Sequence, residues 1–197
     1  MMDIYCINLK KRQDRLELLK KNIPADFNLI IIEAVEHKNG SIGCGLSHQK
    51  IIKLAIEKNM DRVLVIEDDN VFSDNCIDIL TKVLYEIPVY DILLGGAHYI
   101  TYPTMISANL FKIRKFSGTN FILYNKSSYK TVLNWTIGHI DNYYSFLSDS
   151  GHLNVFITFP FLGKTESEYS DVKKKKINYK HLFDKYEKIL SVKLFKS

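Results

Sequence analysis

Residues 62–72 read RVLVIEDDNVF, and this stretch indicates both the type of fold and the position of its site. The four apolar residues 63–66 are typical of a buried β-strand. Glu67, Asp68 and Asp69 follow that strand directly. Because adjacent carboxylates repel one another, the triplet either meets a positively charged partner or forms a solvated acidic turn.

The segments around this stretch alternate between short apolar runs and amphipathic patterns with helical spacing. The predicted strands are residues 3–9, 28–35, 62–66 and 89–96, and the predicted helices are residues 10–24, 46–59 and 73–88, the last of them capped by Ser73 or Asp74. Strands and helices that alternate at these lengths predict an α/β domain whose mostly parallel sheet is covered on both faces.

The second half of the chain is less regular than the first. The predicted strands there are residues 110–116, 119–125 and 153–159, and the predicted helices are residues 126–135, 139–147 and 180–195. We interpret residues 1–172 as a single domain and residues 173–197 as a lysine-rich tail that ends in a helix.

Composition and charge limit the classes of function. The chain has 197 residues, of which 46% are hydrophobic and 25% charged, as in an ordinary globular domain. Its net charge of +5 suits an anionic ligand, but we predict no nucleic-acid partner. The start MMDIYCINL lacks the features of a signal peptide, which predicts a cytoplasmic protein. The run Lys173–Lys176 is either a solvated loop or a peripheral contact with an anionic membrane surface.

The three cysteines give no sign of a disulfide framework or of a zinc site. Cys6, Cys44 and Cys76 are odd in number and widely separated. None of them forms a C-x-x-C pair, the spacing that is typical of structural zinc sites.

The acidic triplet is a candidate site for a metal ion. In open α/β sheets, ligands bind outside the carboxyl ends of the strands, and the triplet lies at such an end. Carboxylate oxygens are the ligands that Mg²⁺ and Mn²⁺ prefer. An ion held by two or three carboxylates would keep positions open for a phosphate-bearing ligand.

The segment after the first strand carries a cluster of basic residues at a helix start, namely Lys10, Lys11, Arg12 and Arg15. Cations are unfavourable at a helix N-terminus, whereas an anion at that end is favourable. Arg12 and Arg15 are three positions apart and share a helix face. The cluster therefore predicts a phosphate site, with a solvated lysine-rich helix as the alternative.

Residues 40–50, GSIGCGLSHQK, predict a glycine-containing loop in which the backbone comes close to a ligand. Ser47 and His48 would then begin the following helix. A single histidine at a helix start also occurs as a purely structural residue, so both interpretations of His48 stay open.

Together, INLKKRQDR, GCGLSH and VLVIEDD resemble glycosyltransferase family 25 in their order and spacing. That family includes bacterial lipooligosaccharide galactosyltransferases and collagen hydroxylysine galactosyltransferases. YDILLGG, SGTNFILYNKSSYKTVLN, HIDNYYS and FPFLGKTESEYSDV extend the resemblance over residues 3–172. The chain departs from the family at Thr165 or Glu166, where the closing motif often has glutamine.

The resemblance implies a GT-A type fold with one Rossmann-like domain that binds a nucleotide sugar. It also implies transfer of galactose or glucose from a UDP-sugar, with inversion, in a metal-assisted reaction of the kind used in lipopolysaccharide biosynthesis. The acceptor would be a hydroxyl group of a glycan, of a lipid-linked sugar or of a hydroxylysine-type protein side chain.

The resemblance also implies roles for individual residues. Mn²⁺ or Mg²⁺ would be held by Glu67 and Asp69, and the general base would be Asp141, whose alternative role is a helix N-cap. The residues that would bind the donor are Asn8, Leu9, Arg12, Arg15, Ser47, His48 and Asp68.

Two other functions compete with this interpretation. Phosphatases of the haloacid-dehalogenase type also place aspartates after a strand, but they need D-x-D-x-[TV], and this chain has EDDNV. A catalytically inactive domain of the same fold would bind a nucleotide sugar or a partner protein without turnover.

Overall fold

An eight-stranded mixed β-sheet lies at the centre of this computed structural model, which describes residues 1–165, 168–170 and 175–194. The strands are β1 (Met2–Asn8), β2 (Phe27–Glu33), β3 (Arg62–Glu67), β4 (Asn70–Phe72), β5 (Ile92–Leu94), β6 (Tyr99–Thr101), β7 (Thr104–Ser107), β8 (Leu110–Lys112), β9 (Lys115–Ser117), β10 (Phe121–Asn125), β11 (Val155–Thr158), β12 (Gly163–Thr165), β13 (Glu168–Ser170) and β14 (Lys175–Ile177). The helices are α1 (Gln13–Asn22), α2 (Gly40–Glu57), α3 (Cys76–Glu86), α4 (Tyr129–Asn134), α5 (Ile140–Asp149) and α6 (Tyr179–Leu194), with a 3₁₀ turn at Lys126–Ser128.

The strand order is β2-β1-β3-β10-β5-β11-β8-β7, and most of these strands run in one direction. Strands β2, β1 and β3 are parallel neighbours, as are β5 and β11. Strand β10 runs antiparallel between β3 and β5, and β8 runs antiparallel beside β11. The predicted mostly parallel α/β sheet is therefore confirmed, with an antiparallel strand at its centre.

Strand β3 shows why an uninterrupted apolar run forms a central strand. Successive side chains of a strand point to opposite faces, so Val63 and Val65 enter the core on one face while Leu64 and Ile66 enter the core on the other. Helices α2, α4, α5 and α6 cover the first face, and α1 and α3 cover the second. A strand buried on both faces needs apolar residues throughout.

Helix α2 corrects one expectation of the sequence analysis, because residues 40–45 are helical and do not form a loop. A Cβ atom on Gly43 would lie 2.6 Å from the carbonyl oxygen of Val35, and one on Gly45 would lie 2.2 Å from the ring of Trp135. Both glycines therefore allow α2 to pack closely on its neighbours.

Three boundaries also differ from the predicted ones. Helix α3 begins at Cys76, with Asn75 as an N-cap that makes no side-chain capping bond, so neither Ser73 nor Asp74 caps it. The strand predicted at residues 89–96 shortens to β5. The strand predicted at residues 110–116 divides into β8 and β9, which belong to different sheets.

Helix α6 packs into the core on the same face as α2. Phe183 and Leu190 are fully buried there, so this part of the predicted tail contributes to the folded unit. The predicted domain boundary at residue 172 lies outside the described residues, and the side chains of the run Lys173–Lys176 do as well. Within the described part of the chain, every helix is too short or too polar to cross a membrane.

Candidate active site

A cleft of about 680 Å³ lies where the parallel strands β1, β2 and β3 end. This is the edge of the sheet at which ligands of open α/β folds bind. The loop between β9 and β10, the start of α2 and the start of α5 form its other walls. Among the residues that line the cleft are Leu9, Lys11, Arg15, Cys44, Ser47, Glu67, Asp68, Asp69, Thr119, Asp141 and Thr165.

Arg15 forms ion pairs with two of the three acids of the triplet. Its Nη1 atom lies 3.1 Å from Asp68 Oδ1 and 3.1 Å from Asp69 Oδ2. The second oxygen of Asp68 accepts a hydrogen bond of 2.7 Å from Asn8 Nδ2. Asn8 also donates to the carbonyl oxygen of Arg12, at 3.1 Å, so the end of β1 and the start of α1 together hold Asp68 in place.

The surroundings of these groups change their acidity. Burial raises the pKa of Asp68, although the charge of Arg15 and the hydrogen bonds from Arg15 and Asn8 oppose that shift. Burial lowers the pKa of Arg15, but the charges of Asp69 and Asp68 outweigh that effect and raise it. The guanidinium group thus stays charged within a largely buried ion cluster.

The surroundings of Glu67 strongly change its acidity. Its Oε1 atom accepts a hydrogen bond of 2.8 Å from Thr119 Oγ1. Burial first and the charge of Asp69 second raise the pKa of Glu67 to about 8. Without a cation beside it, Glu67 therefore carries a proton at neutral pH.

Arg12 and Arg15 share a helix face and both lower the pKa of Asp68 through their charge, but Arg12 also pairs with Asp14. Arg12 is the N-cap residue of α1, and its Nε and Nη2 atoms lie 3.0 Å and 2.9 Å from the carboxylate oxygens of the exposed Asp14. This pairing lowers the pKa of Asp14 to about 2. Of the two arginines, Arg15 is the one that lines the cleft.

Ser47 and His48 lie at and behind the cleft wall formed by α2. Ser47 Oγ donates to the carbonyl oxygen of Gly43 at 2.7 Å and accepts from the amide of Val35 at 2.8 Å. His48 is fully buried, with Nδ1 2.9 Å from the hydroxyl of Tyr124. Burial lowers the pKa of His48 to about 4, so the imidazole is neutral. Contact of either residue with a donor stays a prediction.

Asp141 faces the cleft from the first turn of α5. Its Oδ2 atom accepts hydrogen bonds from Ser117 Oγ at 2.6 Å and from the amide of Gly118 at 3.0 Å. Its Oδ1 atom accepts from the amide of Asn142 at 2.9 Å. The N-cap residue of α5 is His139, so the alternative interpretation of Asp141 as an N-cap is wrong.

Sequence reasoning missed the residues that the loop before β10 brings to the cleft. The amide of Glu67 donates to the carbonyl oxygen of Asn120, which places Thr119 beside the Glu67 carboxylate. Asn120 Nδ2 donates to Asn70 Oδ1 at 3.1 Å. The antiparallel pairing of β10 with β3 creates these contacts, and no local pattern in the sequence indicates that pairing.

The short ladder between β4 and β12 places the closing motif of the sequence beside the acidic triplet. Thr165 pairs with Asn70 and lines the cleft. Glu166, the other position at which the chain departs from its resemblance, lies outside the described residues.

Glu67 and Asp69 fit a hard divalent cation. Both carboxylates line the cleft, and oxygen ligands alone suit Mn²⁺ and Mg²⁺. Burial and, second, the charge of Asp69 raise the pKa of Glu67. A nearby cation would favour the ionised form of Glu67.

Comparison with protein families supports the resemblance stated above. The model of glycosyltransferase family 25 (LPS biosynthesis protein) matches residues 38–178. Procollagen galactosyltransferase 2 of Mus musculus is 29% identical over 114 residues, which cover 43% of this chain and 18% of that protein. The Homo sapiens protein of the same name is 30% identical over 96 residues, covering 34% and 15%. The chain thus spans less than a fifth of the curated relatives that it matches.

Solved structures share the fold at low sequence identity. A197 from STIV has a TM-score of 0.53 and 14% identity, over 90% of this chain and 94% of that chain. A glycosyltransferase involved in the glycosylation of the major capsid of PBCV-1 has a TM-score of 0.50 and 13% identity, over 92% and 98%. The predicted GT-A type α/β fold is confirmed by this likeness and by the sheet itself.

Proposed function

The chain belongs to glycosyltransferase family 25, and from that premise we propose that it transfers galactose or glucose from a UDP-sugar to an acceptor hydroxyl, with inversion at the anomeric carbon. The observation that carries the proposal is the cleft at the ends of β1 and β3, where Glu67 and Asp69 face a space of about 680 Å³. Such a volume is in the range of small-molecule sites.

The donor would lie with its diphosphate near the start of α1. Arg15 and Lys11 line the cleft there, and the helix N-terminus adds partial positive charge. Leu9 offers an apolar surface to the base or ribose. Asn8 is buried and bonded to Asp68, so it would act on the donor by holding that carboxylate in position.

Glu67 and Asp69 would hold Mn²⁺ or Mg²⁺, which supplies Lewis-acid stabilisation of the negative charge that develops on the leaving diphosphate. Thr119 orients Glu67 by donating to one of its oxygens. Arg15 pairs with Asp68 and Asp69 and limits the repulsion among the three acids.

Asp141 would accept the proton of the acceptor hydroxyl as its oxygen attacks the anomeric carbon. In that step the bond from the acceptor oxygen to the anomeric carbon forms, and the bond from that carbon to the phosphate oxygen breaks. Hydrogen bonds from Ser117 and from the amides of Gly118 and Asn142 fix the orientation of the carboxylate.

The acceptor would be a glycan, a lipid-linked sugar or a hydroxylysine-type side chain. The names of the family and of its curated relatives support these classes. A cytoplasmic location and a peripheral contact of Lys173–Lys176 with an anionic membrane belong to the same proposal. Sedimentation with anionic liposomes at two salt concentrations tests that contact, and absence of binding at both would contradict it.

A donor screen with three variants tests the proposed activity. The purified chain is incubated with a set of nucleotide sugars with and without Mn²⁺, and hydrolysis and transfer to added glycans are measured. We expect Asp69→Asn and Asp141→Asn to abolish turnover, and only Asp69→Asn to weaken stabilisation by Mn²⁺. Asp149→Asn is the matched control, because Asp149 lies on α5 but pairs with Arg114 and Lys115.

The outcomes of this screen separate the candidate functions. Transfer from a UDP-hexose that needs Mn²⁺ and Asp69 supports the proposal. Mn²⁺-dependent binding of a nucleotide sugar without turnover would instead favour the inactive domain. Release of phosphate from simple phosphoesters would favour a phosphatase.

A further inference from the structure

Three side chains with different donor atoms meet at the inner wall of the cleft. Cys44 Sγ, a ring nitrogen of His48 and a carboxylate oxygen of Glu67 all lie within 4.8 Å of one another. Cys44 and His48 are four residues apart on α2 and therefore share a helix face, and Glu67 is the last residue of β3. The cluster contributes sulfur, nitrogen and oxygen, in contrast to the oxygen-only pair of Glu67 and Asp69.

His48 provides independent evidence that the cluster binds an ion. Its side chain is fully buried, and its Nδ1 atom is engaged with the hydroxyl of Tyr124 at 2.9 Å. The other ring nitrogen, Nε2, is also buried and has no hydrogen-bond partner among the described residues. Buried polar atoms almost always have a partner, so this nitrogen is free to bind a ligand that the described residues do not supply.

The Tyr124 contact is the arrangement expected around a metal-binding histidine. Metal-bound imidazoles use the second ring nitrogen for a hydrogen bond that orients the ring. Tyr124 in turn lies 3.2 Å, hydroxyl to hydroxyl, from the buried Tyr144, which fixes its position. In the tautomer whose Nδ1 donates to Tyr124, Nε2 carries a lone pair for a metal ion, and the contact fixes the direction of that lone pair.

We propose that Cys44, His48 and Glu67 form a site for one borderline-soft divalent cation of the zinc class, separate from the hard-cation position at Glu67 and Asp69. Zinc accepts thiolate, imidazole and carboxylate ligands together, whereas Mn²⁺ and Mg²⁺ prefer oxygen. Ligand atoms of a tetrahedral zinc site lie roughly 3.3–3.8 Å apart, so small side-chain movements close the cluster around an ion.

The site has an entry path and an open fourth position. Cys44 and Glu67 line the cleft, so a cation reaches them from solvent and keeps one water or ligand atom on that side. Binding converts the Cys44 thiol to a thiolate and releases its proton to solvent. No oxidation is involved.

Because Glu67 belongs to both sites, the two kinds of cation compete for it. An ion of the zinc class at the cluster would withdraw one of the two carboxylates from the hard-cation position. We therefore expect Zn²⁺ to weaken Mn²⁺ binding by about tenfold or more, in the range that loss of a supporting ligand causes. This consequence concerns cation binding alone and holds whether or not the chain transfers a sugar.

Cobalt is the probe, since Co²⁺ replaces zinc and produces a thiolate-to-metal charge-transfer band when it binds sulfur. We expect the wild-type chain to show this band at one Co²⁺ per chain, and Zn²⁺ to abolish it by displacement. Cys44→Ala should lose the band. Cys76→Ala is the matched control, because Cys76 is buried on α3 in the core of the opposite sheet face and should keep it.

Tyr124→Phe tests the orientation of the imidazole without removing a ligand. The variant keeps the ring and loses only the hydroxyl that contacts His48 Nδ1. We expect it to bind Co²⁺ through sulfur with roughly 10–100-fold lower affinity. Unchanged affinity in this variant would contradict the orienting role assigned to Tyr124.

Differential alkylation tests the site in the wild-type chain, so the result does not depend on whether Cys44→Ala folds. Iodoacetamide labelling of the native chain is compared by mass spectrometry with and without Zn²⁺, and labelling of the urea-unfolded chain gives the reference for full reaction. Zinc should protect Cys44 in the native chain, and a chelator should reverse the protection. No cobalt band, a band that survives Cys44→Ala, or equal labelling of Cys44 with and without zinc would each overturn the proposal.

Discussion

Replacement of Arg15 by methionine is the most direct perturbation of the acidic cluster. Methionine keeps the apolar stem of the side chain but removes the charge that pairs with Asp68 and Asp69, each at 3.1 Å. Arg15 and Asp68 are both more than nine-tenths buried. Asp68 would then remain buried beside Glu67 and Asp69 without the guanidinium group that pairs with it.

The expected cost follows from the burial of these groups. Removal of one partner of a buried ion pair typically costs about 3–5 kcal/mol, because the remaining charge stays desolvated. The pKa of Asp68 is already raised by burial, so protonation can relieve part of that cost, and we expect a loss of about 3 kcal/mol. In a domain of this length, a loss of that size lowers Tm by roughly 6–12 °C.

Lys20→Met is the control, because it removes a cation from the same helix at an exposed position. Lys20 pairs with Glu17 on the surface of α1, and exposed pairs contribute at most about 1 kcal/mol. The two variants are compared by urea unfolding and by thermal melts. Equal losses for both variants would refute the assignment of Arg15 as the charge partner of the cluster.

Thermal melts with added Mn²⁺ extend the same experiment to cation binding. A free ligand at about 100 times its Kd stabilises the native state by about 2.7 kcal/mol. Mn²⁺ should raise the Tm of Arg15→Met by more than that of the wild type, because the variant cluster has lost its other source of positive charge. A smaller shift in the variant, or no shift in either chain, would contradict the view that the carboxylates hold a cation.

Two further substitutions test the packing that positions the cleft. Gly45→Ala places a methyl group 2.2 Å from the ring of Trp135, so we expect a loss of about 1–3 kcal/mol in urea unfolding and a smaller loss when Trp135→Leu is also present. Phe183→Ala should cost about 3–5 kcal/mol because Phe183 is buried in the core, whereas Phe146→Ala, at a mostly exposed position, should change stability by less than about 0.5 kcal/mol. Similar losses for Phe183→Ala and Phe146→Ala would show that α6 does not stabilise the domain.

The general plan of the domain was predictable from local patterns. The apolar run before Glu67 identified the central strand, and its position in a βα alternation located the acids at the ligand-binding edge. These inferences succeeded because burial on both faces and the direction of parallel strands leave a signal in neighbouring residues.

The roles of the glycines and arginines were less predictable. Gly43 and Gly45 suggested a loop, yet they allow α2 to lie against the carbonyl oxygen of Val35 and the ring of Trp135. Helical spacing placed Arg12 and Arg15 on one face, but it did not show that Arg12 would pair with Asp14 while Arg15 would pair with Asp68 and Asp69.

The order of apolar and charged residues in the chain was enough to indicate the α/β class, the central strand and the acidic edge of the sheet, because each depends on residues within one element. The tertiary structure alone decided that β10 enters antiparallel beside β3 and brings Thr119 to Glu67, and that Cys44 and His48 meet the same carboxylate. Such contacts depend on the packing of elements that lie far apart in the chain, and spacing within one element carries no information about them.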